Sequence, residues 1–176
     1  MKRFVCAVVA LTLMSAPADA TGQDTDWNRY TLEDLGGVFI RFEVSRACEA
    51  AGVMASALEA DVSLKLIEAD VGVLTQAELL THPAMPELRI SLDCAGGPDG
   101  MSGVVAYSVG LRVQQSAQML RDAQITLPEA VTWYSTKLGV SSEDQTVAAI
   151  GATVMEQIGA FAAAWAAVHP EEGGAS

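Results

Sequence analysis

Few residues in this chain are equipped for chemistry. Three cysteines, two histidines and 22 acidic side chains are spread over 176 residues. A redox or nucleophilic thiol pair calls for Cys-x-x-Cys, or for a helix start or basic cluster that holds a thiolate. Cys48 and Cys94 have neither: they are far apart, and the charge of Arg46 beside Cys48 is offset by Glu49. A zinc site calls for closely spaced Cys and His pairs. His82 precedes Pro83 and His169 precedes Pro170, and the sequence places both at surface loops or helix ends. A protonated His169 at a helix C-terminus has a dipole role open to it.

Carboxylate catalysis needs two acids in one cleft. Glu59 with Asp61, and Glu68 with Asp70, are two apart and point to different sides of a helix. Glu33 and Asp34 lie in a polar segment, and Glu143 and Asp144 in a first helical turn as dipole partners. Glu87, Asp93 and Asp99 surround a turn without the ligand spacing of a calcium loop. The glycines at 96, 97, 100 and 103 read as a hairpin turn; no phosphate loop, dinucleotide fingerprint or Gly-x-Ser-x-Gly occurs. The sequence therefore offers no catalytic, metal-ligating or cofactor-binding residue, and an enzyme is the less favoured class.

The compartment explains the cysteines better. Residues 1–20 have the form of a secretory leader: Lys2 and Arg3, an apolar run from Phe4 to Met14, and Ala18-Asp19-Ala20 before the cut. The run is too short for a bilayer core of about 30 Å. Cleavage near Ala20, with Ala18 the alternative, removes Cys6 and leaves Cys48 and Cys94 in an oxidising space, periplasmic or secreted. Three fates compete for the pair: a structural disulfide (favoured), two buried thiols, or a redox pair. A bridge would close a loop of about 45 residues and contribute roughly 4 kcal/mol on chain-entropy grounds.

With the leader go Lys2, Arg3 and Asp19, which leaves 8 basic and 21 acidic side chains. Such a surface repels phosphate backbones, so nucleic acid and anionic membrane are poor partners. No second stretch is read as a membrane span.

The elements that must position these residues follow from periodicity. Residues 37–45 read as a strand with Val38, Ile40, Phe42 and Val44 on one face. Residues 53–70 read as a helix whose stripe is Leu58, Val62, Leu66 and Ala69. A short extended piece, 71–74, precedes a capping box of Thr75 and Glu78. Strands follow at 87–94, 104–120 and about 130–137, the last with Val131 and Trp133 on one face and Tyr134 on the other. A second capping box, Ser142 with Gln145, opens a long helix striped by Val147, Ile150, Val154, Ile158, Phe161, Trp165 and Val168.

This order, β-α-β-β-β-α, predicts an α+β fold: a four-stranded mixed sheet with two helices packed on one face. A strand-helix-strand crossover makes the first two strands parallel, which would bring Cys48 and Cys94 to one end of the sheet. Residues 1–20 are the leader, 21–34 a polar N-terminal arm, loosely docked, 35–170 a single domain and 171–176 a tail. The uncovered face carries Phe39, Arg41, Ser91, Ala106, Ser108, Gly110 and Arg112. Phe39, Arg41, Arg112, Gln114 and Tyr134 are its candidate ligand or subunit contacts. Arg112 and Arg121 with Gln114, Gln115 and Gln118 form a polar strip suited to a partner's edge or to protecting this one.

The ordered segments "GGVFIRFEV", "YSVGLRVQQSAQMLRD", "AVTWYSTKLG" and a helix ending in "AAWAAVHP" resemble a loose set of small exported bacterial proteins of unassigned activity. The resemblance spans roughly residues 35–170 and implies a mixed sheet with a long terminal helix. It implies no catalytic residue. Three functions are expected to compete: a non-enzymatic envelope protein that binds or assembles, as a homodimer or with an envelope partner; a carrier of a small apolar ligand between sheet and helix; and a carboxylate hydrolase.

Overall fold

The computed structural model describes residues 22–96 and 103–170. The leader, the turn glycines 97 and 100, Asp99 and the tail 171–176 lie outside the described residues. In chain order the elements are α1 (Asp26–Tyr30), β1 (Phe39–Val44), α2 (Arg46–Ala50), α3 (Ala55–Glu68), α4 (Gln76–Thr81), β2 (Glu87–Gly96), β3 (Val104–Gln118), β4 (Thr126–Ser142) and α5 (Thr146–Ala166). The strands form one mixed sheet in the order β1-β2-β3-β4. β1 and β2 are parallel; β2, β3 and β4 are antiparallel. The α+β class and the parallel crossover are as the sequence predicts. Two short helices, α1 and α2, add to the two expected, and the turn opened by the Thr75–Glu78 capping box forms the short helix α4.

The core lies between one sheet face and the helices α3 and α5. Ile40 on β1, Leu88, Ile90 and Leu92 on β2, and Val109, Leu111 and Val113 on β3 are buried there. From α3 come Val62 and Leu66, and from α5 come Ile150, Val154, Ile158, Phe161 and Trp165. Trp133 of β4 meets Phe161 edge-on, with ring centroids 5.2 Å apart. Each such side chain contributes about 1.5–3 kcal/mol by leaving water. Gln157 of α5 is also buried, and its amide donates to the Val109 carbonyl at 2.8 Å. By length and composition alone, Glu143–Ala166 would pass for a membrane span, which amends the sequence reading. Its apolar stripe, apart from the exposed Val147, is spent on the core.

Several boundaries differ from the sequence reading. β4 runs well beyond 130–137 in both directions. Gly139, beyond the expected end, sits inside the strand, and its missing Cβ leaves room for the Tyr107 ring from β3. The second capping box does not form at Ser142, whose side chain makes no cap hydrogen bond. Instead the chain makes a 3-10 turn at Glu143–Gln145, and Thr146 Oγ1 donates to the Ser142 carbonyl at 2.9 Å. The first box, Thr75 with Glu78, forms in both directions. Val131 and Trp133 do not share a face. A register shift places Thr132 as an extra residue between the pairs Val113–Trp133 and Gln114–Val131, leaving Trp133 buried and Val131 half exposed.

The segment read as a loosely docked arm is attached at several points. Leu32 is fully buried in the core. Trp133 Nε1 donates to Asp24 at 3.0 Å, Asn28 Nδ2 to the Thr132 carbonyl at 2.7 Å, and Gln115 Nε2 to the Thr31 carbonyl at 2.8 Å. Gln23 forms an antiparallel bridge with Tyr134. Trp27 and Tyr30 remain exposed and meet each other edge-on.

Cys48 and Cys94 stand at disulfide distance, with Cα atoms 5.0 Å apart. The local cause is a turn. β1 ends opposite Leu92, and Ser45 N-caps α2, accepting from the Cys48 amide at 3.4 Å. The same hydroxyl accepts from the Cys94 amide at 3.2 Å, so it joins both backbones. The first turn of α2 thus hangs Cys48, fully buried, over the strand position two beyond Leu92.

Candidate functional site

The sheet face away from the helices carries the functional candidates. Strand register sets their order. Arg41 is opposite Arg89, Arg89 opposite Arg112, and Arg112 opposite Tyr134, so three arginines form one row across the sheet. Like charges directly opposite destabilise a sheet. The neighbouring rows supply the counter-charge. On one side Glu87 accepts from Arg41 Nε and from Arg89 Nε, each at 2.7 Å. On the other, Glu43 lies 3.2 Å from Arg89 Nη1 and accepts from Arg112 Nη2 at 2.8 Å. Glu129 of β4 adds a longer contact to Arg89 at 3.8 Å.

Arg89 is the hub and the most enclosed of the three guanidiniums. Burial alone would lower its pKa. The hydrogen bond and charge of Glu87, followed by the charges of Glu43 and Glu129, reverse that and hold it above its ordinary value. Three arginines and three glutamates thus neutralise one another. Neither Glu43 nor Glu87 stands free of a guanidinium, so this network does not resemble the acid and base pair of a carboxylate hydrolase.

Moving along the strands, the next rows are Asp93–Ser108–Leu138 and Ala95–Ala106–Val140. Asp93 apart, the side chains here are small or apolar. They line an open depression of 490 Å³ that includes Ala95, Ala106, Leu138 and Val140. Leu138 is 75% exposed and Val140 69% exposed. The face is therefore divided: a neutralised ionic half beside α4, and an apolar half at the far end of β4.

All five sequence candidates lie on this face, but not at one point. Arg41 and Gln114 line a 150 Å³ hollow with Glu87 and Leu79. Arg112 and Tyr134 line another, of 190 Å³, with Ser91 and Thr136. Phe39 lies under Arg41, whose guanidinium carbon is 5.5 Å from the ring centroid. Sequence reasoning missed Glu43, Glu87, Arg89, Leu138 and Val140. The alternation of Glu87 and Arg89 with Leu88 and Ile90 was the available signal for the hub.

The histidines are less exposed than the sequence suggests. His82 Nδ1 accepts from the Ala84 amide at 3.1 Å. His169 stacks on Trp165, with centroids 4.3 Å apart, and its Nδ1 lies 3.0 Å from the Trp165 carbonyl. It borders a 450 Å³ depression with Asp34 and Asp70, both in left-handed backbone at loop corners. Among the described residues no three metal-ligating side chains cluster. Between sheet and α5, the position expected for an apolar ligand, the space is filled by Trp133, Val154, Ile158 and Phe161, all fully buried.

No protein-family model, no curated protein and no solved structure matches the chain. Function is therefore read from the open face itself.

Proposed function

We propose that the protein is a non-enzymatic interaction module of the cell envelope, exported through its leader and docking a protein partner on the open sheet face. One observation carries this reading. Among the described residues, a four-stranded sheet covered by helices on one side leaves the other side bordered only by α4 at its ionic end, and its apolar half exposes Leu138 and Val140 on the outermost strand. Single exposed apolar residues are ordinary, but a contiguous apolar patch rimmed by polar groups marks an interaction surface. The ionic half fits a rim: its charges are already paired, so covering it does not strand a lone ion. The compartment rests on the leader and on the cysteine pair.

A photoreactive phenylalanine analogue placed at Leu138, Val140 or, as control, exposed Glu68 on α3 tests the proposal in the intact envelope. Docking on the open face gives discrete cross-linked products from positions 138 and 140 and none from 68. Equal, diffuse products from all three positions contradict it.

A further inference from the structure

Resting on that reading, we infer that the partner is a second copy of this chain, and that the two copies join by pairing the free half of β4 antiparallel across a two-fold axis at Gly139.

The two edges of the sheet are unlike. β1 is six residues long, alternates Arg41 and Glu43, and its beginning is flanked by residues 72–74, where Val38 bridges Val73. Such short, charged, covered edges resist pairing. β4 is 17 residues long. Its first half carries the usual protection: Pro128, the extra residue Thr132, and the arm, which reaches as far as the Gln23–Tyr134 bridge. Gly22 of the arm lies against Ser135, and from residue 136 to residue 142 there is no proline, no register shift and no covering segment among the described residues. Lys137, the one charge there, turns to the helical side and pairs with Glu156 of α5.

The backbone direction in this free stretch follows from the ladder. The Glu143 amide donates to the Gly103 carbonyl, just past the paired residues Val104 and Ser142. Odd-numbered residues of this half of β4 therefore address β3, and Thr136, Leu138, Val140 and Ser142 turn their backbone donors and acceptors outward. Those outward groups are also the residues whose side chains face the open side. A two-fold axis at Gly139 uses this span and no more. It sets Leu138 of each copy opposite Val140 of the other, and Thr136 opposite Ser142, with Gln23 and Gly22 of the arm against Tyr134 and Ser135, just outside the span. The two apolar halves then merge into one patch on a continuous eight-stranded sheet.

Charge selects the second copy over a generic partner. The chain is strongly acidic, with a formal net charge of −12, so most surfaces of two copies repel. Residues 130–142 contain no Asp or Glu. Along this edge two copies approach without carboxylate facing carboxylate, and the edge is self-complementary in both hydrogen bonds and apolar side chains.

The test uses the processed chain, residues 21–176, with its cysteine pair oxidised. Light scattering on the eluting protein is expected to give the mass of two chains, and Leu138→Lys with Val140→Lys the mass of one. Both sites are exposed, and far-ultraviolet circular dichroism checks that the fold persists. Register is read with Leu138→Cys and Val140→Cys chains: their mixture is expected to give a covalent heterodimer under non-reducing conditions, and neither chain alone a comparable band. A strict monomer at all concentrations, or cross-linking without the 138–140 preference, overturns the inference. If the monomer appears while positions 138 and 140 still cross-link to other proteins in the envelope, docking stands and the second copy falls; if both fail, both fall.

Discussion

Opening the Cys48–Cys94 link should cost more than any single surface change. The link closes a loop across a sequence separation of 46 residues. Loop-closure entropy for that length is worth about 4 kcal/mol at 25 °C. The native backbone around the pair is held without the link, because β1 and β2 pair alongside it and Ser45 joins both amides. Removal should therefore act mainly by freeing the unfolded chain, with about 1 kcal/mol more from the void left at buried Cys48. A domain of this size is stable by about 5–15 kcal/mol, so the loss is a large fraction. The assay is urea unfolding of the processed protein, followed by the fluorescence of buried Trp133, with and without dithiothreitol and for Cys48→Ala/Cys94→Ala. With a slope near 2 kcal/mol/M, the midpoint should fall by roughly 2 M in both cases. A fall below about 0.5 M, or a reduced wild type that unfolds like the oxidised one, would refute the loop argument.

Acid should loosen the N-terminal arm. The Asp24 carboxyl is held below its ordinary 3.8, first by its hydrogen bond with Arg29 and then, against burial, by Trp133 and the Arg29 charge. A lowered folded pKa contributes stability above the unfolded value and loses it as pH falls through the folded one. Because the site is about a third exposed, the contribution should be at most about 1 kcal/mol; Asp24→Asn should abolish that part of the pH dependence below pH 4 in urea titrations, and an unchanged profile would contradict the assignment. Arg89→Met should destabilise by about 3 kcal/mol, since it leaves Glu43 and buried Glu87 short of a guanidinium, whereas Arg41→Met, at a more exposed end, should cost about 1 kcal/mol or less; equal losses would deny Arg89 its role as hub. Phe161→Ala should cost about 3–5 kcal/mol by opening the core beneath Trp133, measured by the same urea transition.

Local patterns carried most of the fold. Strict alternation located β1, β2 and β3, the three-and-four spacing located α3 and α5, and the crossover rule made β1 and β2 parallel and brought the two cysteines together. What stayed hidden depends on neighbours that are distant in sequence. The full length of β4 was hidden: an edge strand tolerates Pro128, and Tyr107 occupies the space beside Gly139. The arm looked free because its anchors, Trp133, Thr132 and Gln115, lie about 80 to 110 residues away. The ionic network needed the register of three strands before Arg41, Arg89 and Arg112 fell into one row. The exposed pair Leu138 and Val140 lay beyond the strand expected at about 130–137, and only the ladder placed them on the uncovered side.

The central claim is that the open face at β4 is covered in the envelope. With the native cysteines oxidised, a single new thiol at Leu138→Cys reports this directly through its rate of modification by a maleimide in intact cells, set against Glu68→Cys on α3 and against the purified, diluted protein. The account predicts that position 138 reacts at least about tenfold more slowly than position 68 in the envelope, the factor that roughly 1.4 kcal/mol of protection gives, and that the difference vanishes on dilution. Equal rates at the two positions in the envelope would contradict it.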